Sequence, residues 1–249
     1  VKGDEEIPDL PDLIETDVVV TLPDKAMKSY MRMKLDFVTQ LEKGKVTAAN
    51  AGAKSVKLRQ IASGAVYTDE ENANGEPIPI KDQPHMEIHD AKIEAIKDLI
   101  EEMSGQPVMV AYEFIHERDR LIKELTPKKQ PPIPYLGGSV SAKKGDVIVQ
   151  QWNTGQIPIL LVHAASVAYG LNLQESGNSI IFYSLTWNLE YYDQLIKRLH
   201  RSGQKARQVY VYRILAAKTV DMMIAEALNV KDCQQSDLLD ALKKGLLAA

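Results

Sequence analysis

From Asp90 to Leu228, short apolar runs alternate with stretches whose apolar residues recur at helical spacing. The runs are Val108–Tyr112, Ile133–Leu136, Ile157–His163, Ser179–Tyr183 and Gln208–Ile214. Between them the spacing predicts helices at Asp90–Met103, at Ile115–Leu125 (stopped by Pro127), from a Ser141 cap to Gln151 or Trp152, at 188–202 and at Val220–Leu228. Strands this short and this continuously apolar suit a sheet buried on both faces. Helices placed between successive strands make that sheet mostly parallel. The expected fold class is therefore α/β, with helices on both faces of a mostly parallel sheet. Ligands of such sheets sit beyond the carboxyl ends of the strands. That rule places Tyr112-Glu113, Leu136-Gly137-Gly138, His163 to Ser166 and Ser184-Leu185-Thr186 on the working edge.

The first part of the chain is less regular. Asp4 to Asp17 is acidic and punctuated by Pro8 and Pro11, and reads as an extended lead-in to a short strand at Val18–Leu22. Pro23 suits the first turn of a helix running to about Glu42. Gly44 to Ala53 is a break, and Lys54 to about Ala65 a second helix. Tyr67 to His89 is polar and reads as a mobile loop or short insertion. His85 and His89 stand four apart, but Pro84 precedes them and no third ligand is evident, so they read as surface histidines and no metal site is expected. Ser236 to Leu247 reads as a last amphipathic helix. The expected division is a lead-in with linker helices at 1–89, a lobe at 90–230 and a terminal helix at 231–249.

Composition narrows the setting. A chain of 249 residues can bury one large core. No run approaches the ~20 apolar residues that a membrane span needs, and the acidic start is not a signal peptide. The single cysteine, Cys233, leaves no internal disulfide framework and suits a reducing cytoplasm. The net charge of −4 argues against a surface coated with basic patches. Lys197, Arg198, Arg201, Lys205, Arg207 and Arg213 nevertheless fall in a stretch with no acid, a local stripe compatible with phosphate contacts.

Within that stretch, Arg198 and Arg201 stand three apart near the end of the helix predicted at 188–202, with Asn188 as its N-cap, Glu190 in its first turn and Gly203 just past its end. Both guanidinium groups would then leave one helix face, with Gln194 a turn earlier on the same side. Two forked, permanently charged donors suit a phosphate chain. Spacing alone fits a solvated basic helix end equally well. The chain has neither a G-x-x-x-x-G-K-[ST] phosphate loop nor an Asp-Glu-x-His box after an apolar strand. Those elements hold the phosphates and magnesium and position the attacking water.

Taken together, Ser166, Gly170-Leu171-Asn172-Leu173-Gln174, Trp187, Glu190, Tyr192, Gln194, Arg198, Arg201, Gly203 and Gln204 resemble motifs V and VI of the Swi/Snf-like ATPases, in superfamily two of the helicases. The form found here is closest to bacterial and phage members. Lys57 to Gly64 is similar to a helix that the family carries just before its second lobe. The resemblance implies a RecA-like second lobe, and that ATP and Mg2+ are held mainly by a first lobe of the same polypeptide, absent here. This chain alone would be inactive. Arg201 would be the arginine finger, with Arg198 touching phosphate or fixing Arg201. Gln194, Gly170, Asn172 and Gln204 would face nucleotide. Ser166, Gly137, Gly138 and Ser139 would grip double-stranded DNA through hydroxyls and backbone N–H groups. Trp187 could touch DNA or the partner lobe, or simply pack at the helix start. The sequence departs from the family at Ala168, where a second Gly is usual, and at Tyr112-Glu113-Phe114, where a Ser or Thr is common. The competing reading is a catalytically inert RecA-like binding or interaction domain.

Overall fold

The computed structural model describes residues 10–42, 48–68, 78–79, 82–167 and 170–229. In chain order the elements are β1 (Asp12–Val20), α1 (Asp24–Glu42), α2 (Ala48–Ser63), β2 (Ala65–Tyr67), β3 (His85–Glu87), α3 (Ala91–Glu102), β4 (Val108–Tyr112) and α4 (Ile115–Leu125). They continue with β5 (Tyr135–Leu136), α5 (Ala142–Asn153), β6 (Ile159–His163), α6 (Ala164–Val167), β7 (Ser179–Phe182), α7 (Leu189–Ile196), β8 (Gln208–Ala216) and α8 (Val220–Asn229). Cys233 and the expected helix at 236–247 lie outside the described residues, as do Ala168 and residues 44–47 of the expected break.

Six strands form one sheet in the order β1-β8-β7-β4-β6-β5, and every neighbouring pair is parallel. This is the RecA-like α/β fold expected of the sequence. Strand β4 lies between β6 and β7, and all five of its residues are buried. Alternate residues feed opposite faces, as the two-residue period of a strand requires. Met109, Ala111, Leu160, Val162, Ile180 and Phe182 pack on one side, with Trp152 of α5 and Leu195 of α7. Val108, Val110, Leu161, Ile181 and Ile214 pack on the other, with Ile93 and Ile96 of α3 and Leu121 of α4.

Four expectations change at the N-terminal side. The strand expected at Val18–Leu22 is longer, running Asp12–Val20 in unbroken parallel register with Gln208–Ala216. Its acids do not forbid this, because an edge strand tolerates charge. Tyr192 donates to Glu15 at 2.6 Å and Arg213 to Asp17 at 2.5 Å. The second helix begins earlier than expected, at Ala48. The polar stretch from Tyr67 to His89 is not wholly a loop: β2 and β3 pair antiparallel, Ala65 opposite Glu87 and Tyr67 opposite His85. Nor are both its histidines on the surface. His89 is buried with its Nε2 at 2.8 Å from the Ile61 carbonyl, and burial lowers its pKa.

One ion pair ties three elements together above the sheet. Lys92 of α3 and Asp221 of α8 lie 2.6 Å apart, both almost fully buried. Lys92 also donates to the Tyr183 carbonyl, and Asp221 accepts from the Ala216 backbone N–H, so both charges are satisfied where β7 and β8 end. Removing one member of a buried pair strands the other charge. Asp221→Ala is therefore expected to lower the unfolding free energy by about 3–5 kcal/mol. Urea denaturation followed by circular dichroism checks this, and a loss below about 1 kcal/mol would contradict it.

His116 of α4 is fully buried, and neither of its ring nitrogens has a hydrogen-bond partner among the described residues. The rings of Tyr67, Phe114 and His85 surround it at centroid distances of 5.0, 5.4 and 5.7 Å. Burial drives its pKa down to about 4; Glu117 opposes this, and His85 and Arg120 reinforce it. The folded state thus holds His116 neutral, while the unfolded chain protonates it near the ordinary value of about 6.5. Its contribution is complete above pH ~6.5 and falls away down to pH ~4, a difference of about 3 kcal/mol. A His116→Phe variant should show a flatter decline of stability across that window, measured by denaturant titration at each pH.

Candidate functional site

The stretch carrying Arg198 and Arg201 is not one helix. Asn188 does cap α7, its Oδ1 accepting from the Tyr191 N–H at 3.2 Å, and Glu190 sits in the first turn. The helix ends at Ile196, however, and both arginines lie in the turns beyond it. There the backbone winds more tightly: Arg198 N–H donates to Leu195 and Leu199 N–H to Ile196, each three residues back. The cause is packing on either side. Leu199 is fully buried, and the His200 ring nitrogen lies 2.8 Å from the Pro11 carbonyl. Gly203 does adopt a left-handed backbone (φ +89°), but closes this run of turns, not a helix.

The tighter turns bring together residues from two distant segments. Arg198 donates to the Leu171 carbonyl at 3.2 Å and to Gln194 Oε1 at 3.3 Å. Arg201 is exposed and donates to Asn172 Oδ1 at 3.4 Å. Gly170 opens the same loop at φ +84°, where a side chain would be strained although nothing within 4 Å would clash with it. Gly170, Asn172, Gln194, Arg198 and Arg201 thus share one surface. The two guanidinium groups lie close enough that burial, then Arg201, push the Arg198 pKa down. An arginine in such a place stays charged, so the pair forms a concentrated positive site.

Gln204 belongs elsewhere. Its amide donates to the Gly177 and Leu199 carbonyls and its oxygen accepts from Ala206 N–H, so it clamps the exit of the turns. The basic stripe is also partly engaged by acids, since Arg213 pairs with Asp17 within the fold and Lys205 with Glu175 at the surface. Two residues not singled out from sequence hold the arginine-facing loop: Trp152 donates to the Leu173 carbonyl at 2.8 Å and Asn153 to the Asn172 carbonyl at 2.9 Å. The sequence placed Trp152 only at the expected end of this helix and gave no sign of this bond.

The second group gathers at the carboxyl ends of β4, β5 and β6. The rings of Tyr112 and His163 lie 5.5 Å apart, and His163 Nδ1 is 3.2 Å from the exposed Ser166 hydroxyl. Gly137 sits directly over Tyr112, where an added Cβ would come within 2.4 Å of the phenol oxygen. Ser139 hydrogen-bonds Tyr135, whose ring lies 4.7 Å from the Arg118 guanidinium. Gly138 and Ser139 are exposed. Ser166, Gly137, Gly138 and Ser139 are therefore one surface with His163 and Arg118 beside it. Trp187 is half-buried and packs against the clusters on both sides of it. Among the described residues no group of three or more His, Cys, Asp or Glu could hold a metal ion, and no helix is long and apolar enough to cross a membrane.

Comparison with known proteins agrees with this geometry. The helicase conserved C-terminal domain matches residues 91–203. Protein p41 of Acyrthosiphon pisum secondary endosymbiont phage 1 is 37% identical over 240 residues, covering 95% of this chain and 47% of p41. Among solved structures, the C-terminal part of the Fun30 ATPase domain aligns with a TM-score of 0.71 at 16% identity, covering 96% of this chain and 97% of that one. Residues 91–203 thus match a helicase C-terminal domain, and the chain shares the fold of the C-terminal part of the Fun30 ATPase domain. The Sulfolobus solfataricus SWI2/SNF2 ATPase core in complex with dsDNA aligns with a TM-score of 0.65 at 20% identity, covering 97% of this chain and 48% of that one. At these identities the structural likenesses establish the fold. The chain spans about half the length of p41 or less of the other curated relatives.

The contact between Gly137 and Tyr112 can be tested as a lock. Gly137→Ala should destabilise the lobe by about 1–3 kcal/mol through overpacking. Adding Tyr112→Phe removes the clashing oxygen and should restore most of the loss. Thermal unfolding of the two single variants and the double variant reads this directly.

Proposed function

We propose that this chain is the second motor lobe of a DNA-stimulated ATPase that translocates along duplex DNA or remodels protein–DNA complexes. The observation that carries the reading is the meeting of Arg198 and Arg201 with Asn172 and Gln194 on one surface, Arg201 exposed. A scaffold has no need to hold two like charges together; an anion brought to them relieves their repulsion. On this reading ATP and magnesium are held mainly by a first lobe of the same polypeptide, where ATP would supply the phosphoryl group and magnesium would neutralise its charge. Arg201 presents its guanidinium across the cleft toward charge developing on that group. Arg198 holds the adjoining loop through the Leu171 carbonyl and adds a second positive charge. Gln194 fixes the Arg198 fork, while Gly170 and Asn172 shape the loop that meets nucleotide.

Ser166, Gly138 and Ser139 are assigned to DNA phosphates, with Gly137 shaping the turn that presents them over Tyr112. Hydroxyl and backbone contacts of this kind position a duplex without reading its sequence. The printed description of the Sulfolobus relative, an ATPase core in complex with dsDNA, supports this choice of partner. Without the phosphate-binding lobe, residues 90–230 would not turn over ATP, and the working protein is placed in the cytoplasm of a bacterium or of a phage-infected host.

The test uses the complete polypeptide that contains this lobe, with hydrolysis measured with and without duplex DNA. Arg201→Ala should lower DNA-stimulated turnover ~10³–10⁵-fold, with nucleotide still bound. Turnover indifferent to Arg201, or none in the unaltered protein, would favour the inert binding domain instead.

A further inference from the structure

We infer that Arg59, in helix α2 and outside the matched helicase domain, is a positioning residue for the arginine segment. The inference rests on the motor-lobe reading and extends it to the helix that leads into the lobe. Arg59 is buried although charged, with 6% of its surface exposed. Its guanidinium donates to the Leu185 carbonyl at 2.6 Å and lies 3.3 Å from the Glu113 carboxylate. It stands 5.2 Å from the ring centre of Phe114 and 5.9 Å from that of Trp187. One planar fork therefore engages the ends of two neighbouring strands, β4 through Glu113 and Phe114 and β7 through Leu185 and Trp187.

What lies beyond each contact gives the residue its role. The stretch from Tyr183 to Asn188 is irregular backbone joining β7 to α7. Leu185 is buried within it, so its carbonyl needs a donor from elsewhere in the chain. Arg59 supplies that donor. One residue on, Thr186 Oγ1 accepts from Asn188 N–H, and Asn188 in turn caps α7. Gln194 on α7 receives the Arg198 fork. The path from Arg59 to Arg198 thus runs through hydrogen bonds of 2.6, 3.2, 3.2 and 3.3 Å, the backbone step from Leu185 to Thr186 and a two-turn helix. On the other side Ser63, at the end of α2, accepts from Tyr183 and Arg120, so α2 is pinned to the lobe at two places. A shift of α2 relative to the sheet would move the approach to α7 and displace both arginines. Displacements of about 1 Å at catalytic groups cost ~10²-fold in rate.

The experiment is a double-mutant cycle in the complete polypeptide, read as kcat and KM for DNA-stimulated ATP hydrolysis beside thermal unfolding. Arg59→Ala should lower kcat ~10²-fold with KM for ATP little changed. Arg59→Lys restores the charge opposite Glu113 without the planar fork, and should fall between the two. The cycle is completed on Arg201→Lys, whose remaining turnover leaves room for a second loss. If Arg59 acts through the arginine segment, adding Arg59→Ala to Arg201→Lys costs much less than in the unaltered protein. A loss that multiplies in full, or kcat unchanged in Arg59→Ala, overturns the inference while leaving the motor-lobe reading intact. Failure of both Arg59 variants to fold assigns the residue to stability and equally overturns it. Turnover unaffected by Arg201→Ala defeats the motor-lobe reading itself, and the inference with it.

Discussion

Parallel pairing is the constraint on which the molecule depends. No two strands of the main sheet are joined by a tight turn, because a parallel neighbour is reached only by crossing back over a face of the sheet. Each crossing must cover apolar surface, and the helices are amphipathic for that reason. The consequence for function is directional. β4, β5, β6 and β7 all end on one edge, so Tyr112, Gly137, His163 and Leu185, which are far apart in sequence, become neighbours. The Lys92–Asp221 pair is best understood in the same terms. At that edge backbone groups leave the ladder, and the pair satisfies the Tyr183 carbonyl and the Ala216 N–H in a place where water is excluded.

The arginine segment shows a local departure from regularity serving a site. Ending the helix at Ile196 and winding more tightly buries Leu199 and turns both guanidinium groups toward Leu171 and Asn172. Backbone N–H groups in those turns are still satisfied from two to four residues back, so the change of path leaves them paired.

This distinction also explains what could be read from the sequence. Apolar runs with no polar interruption announced β4, β6 and β7, and helical spacing with a Pro stop announced α4, because burial on both faces leaves a pattern in composition. Asn188 and Ser141 were legible as caps since a cap needs only a local oxygen. The end of α7 was not legible: it depends on Leu199 and on the distant Pro11 carbonyl. The length of β1 was hidden for a similar reason. Asp12, Glu15 and Asp17 look like a solvated leader until Tyr192 and Arg213 are placed beside them. His89 seemed a surface residue in a polar stretch, and only the pairing of β2 with β3 folds it against Ile61. Among the site residues, Asn172, Gln194, Arg198 and Arg201 meet on one surface, whereas Gln204 bonds backbone groups at the exit of the turns.

The two groups of site residues are separate surfaces, and one rigid element joins them. Helix α5 begins at Ser141, which caps it two residues after Ser139 on the carboxyl edge. It ends at Trp152 and Asn153, which hold the Leu173 and Asn172 carbonyls of the arginine-facing loop. Its length, roughly 18 Å for a helix of this size, is the span between the surface assigned to DNA and the surface assigned to phosphate. Trp152 is fully buried and Ile148 nearly so, which fixes the C-terminal half of the helix to the sheet. In a lobe built this way, the two surfaces keep their relation unless the packing of α5 on β6 gives way.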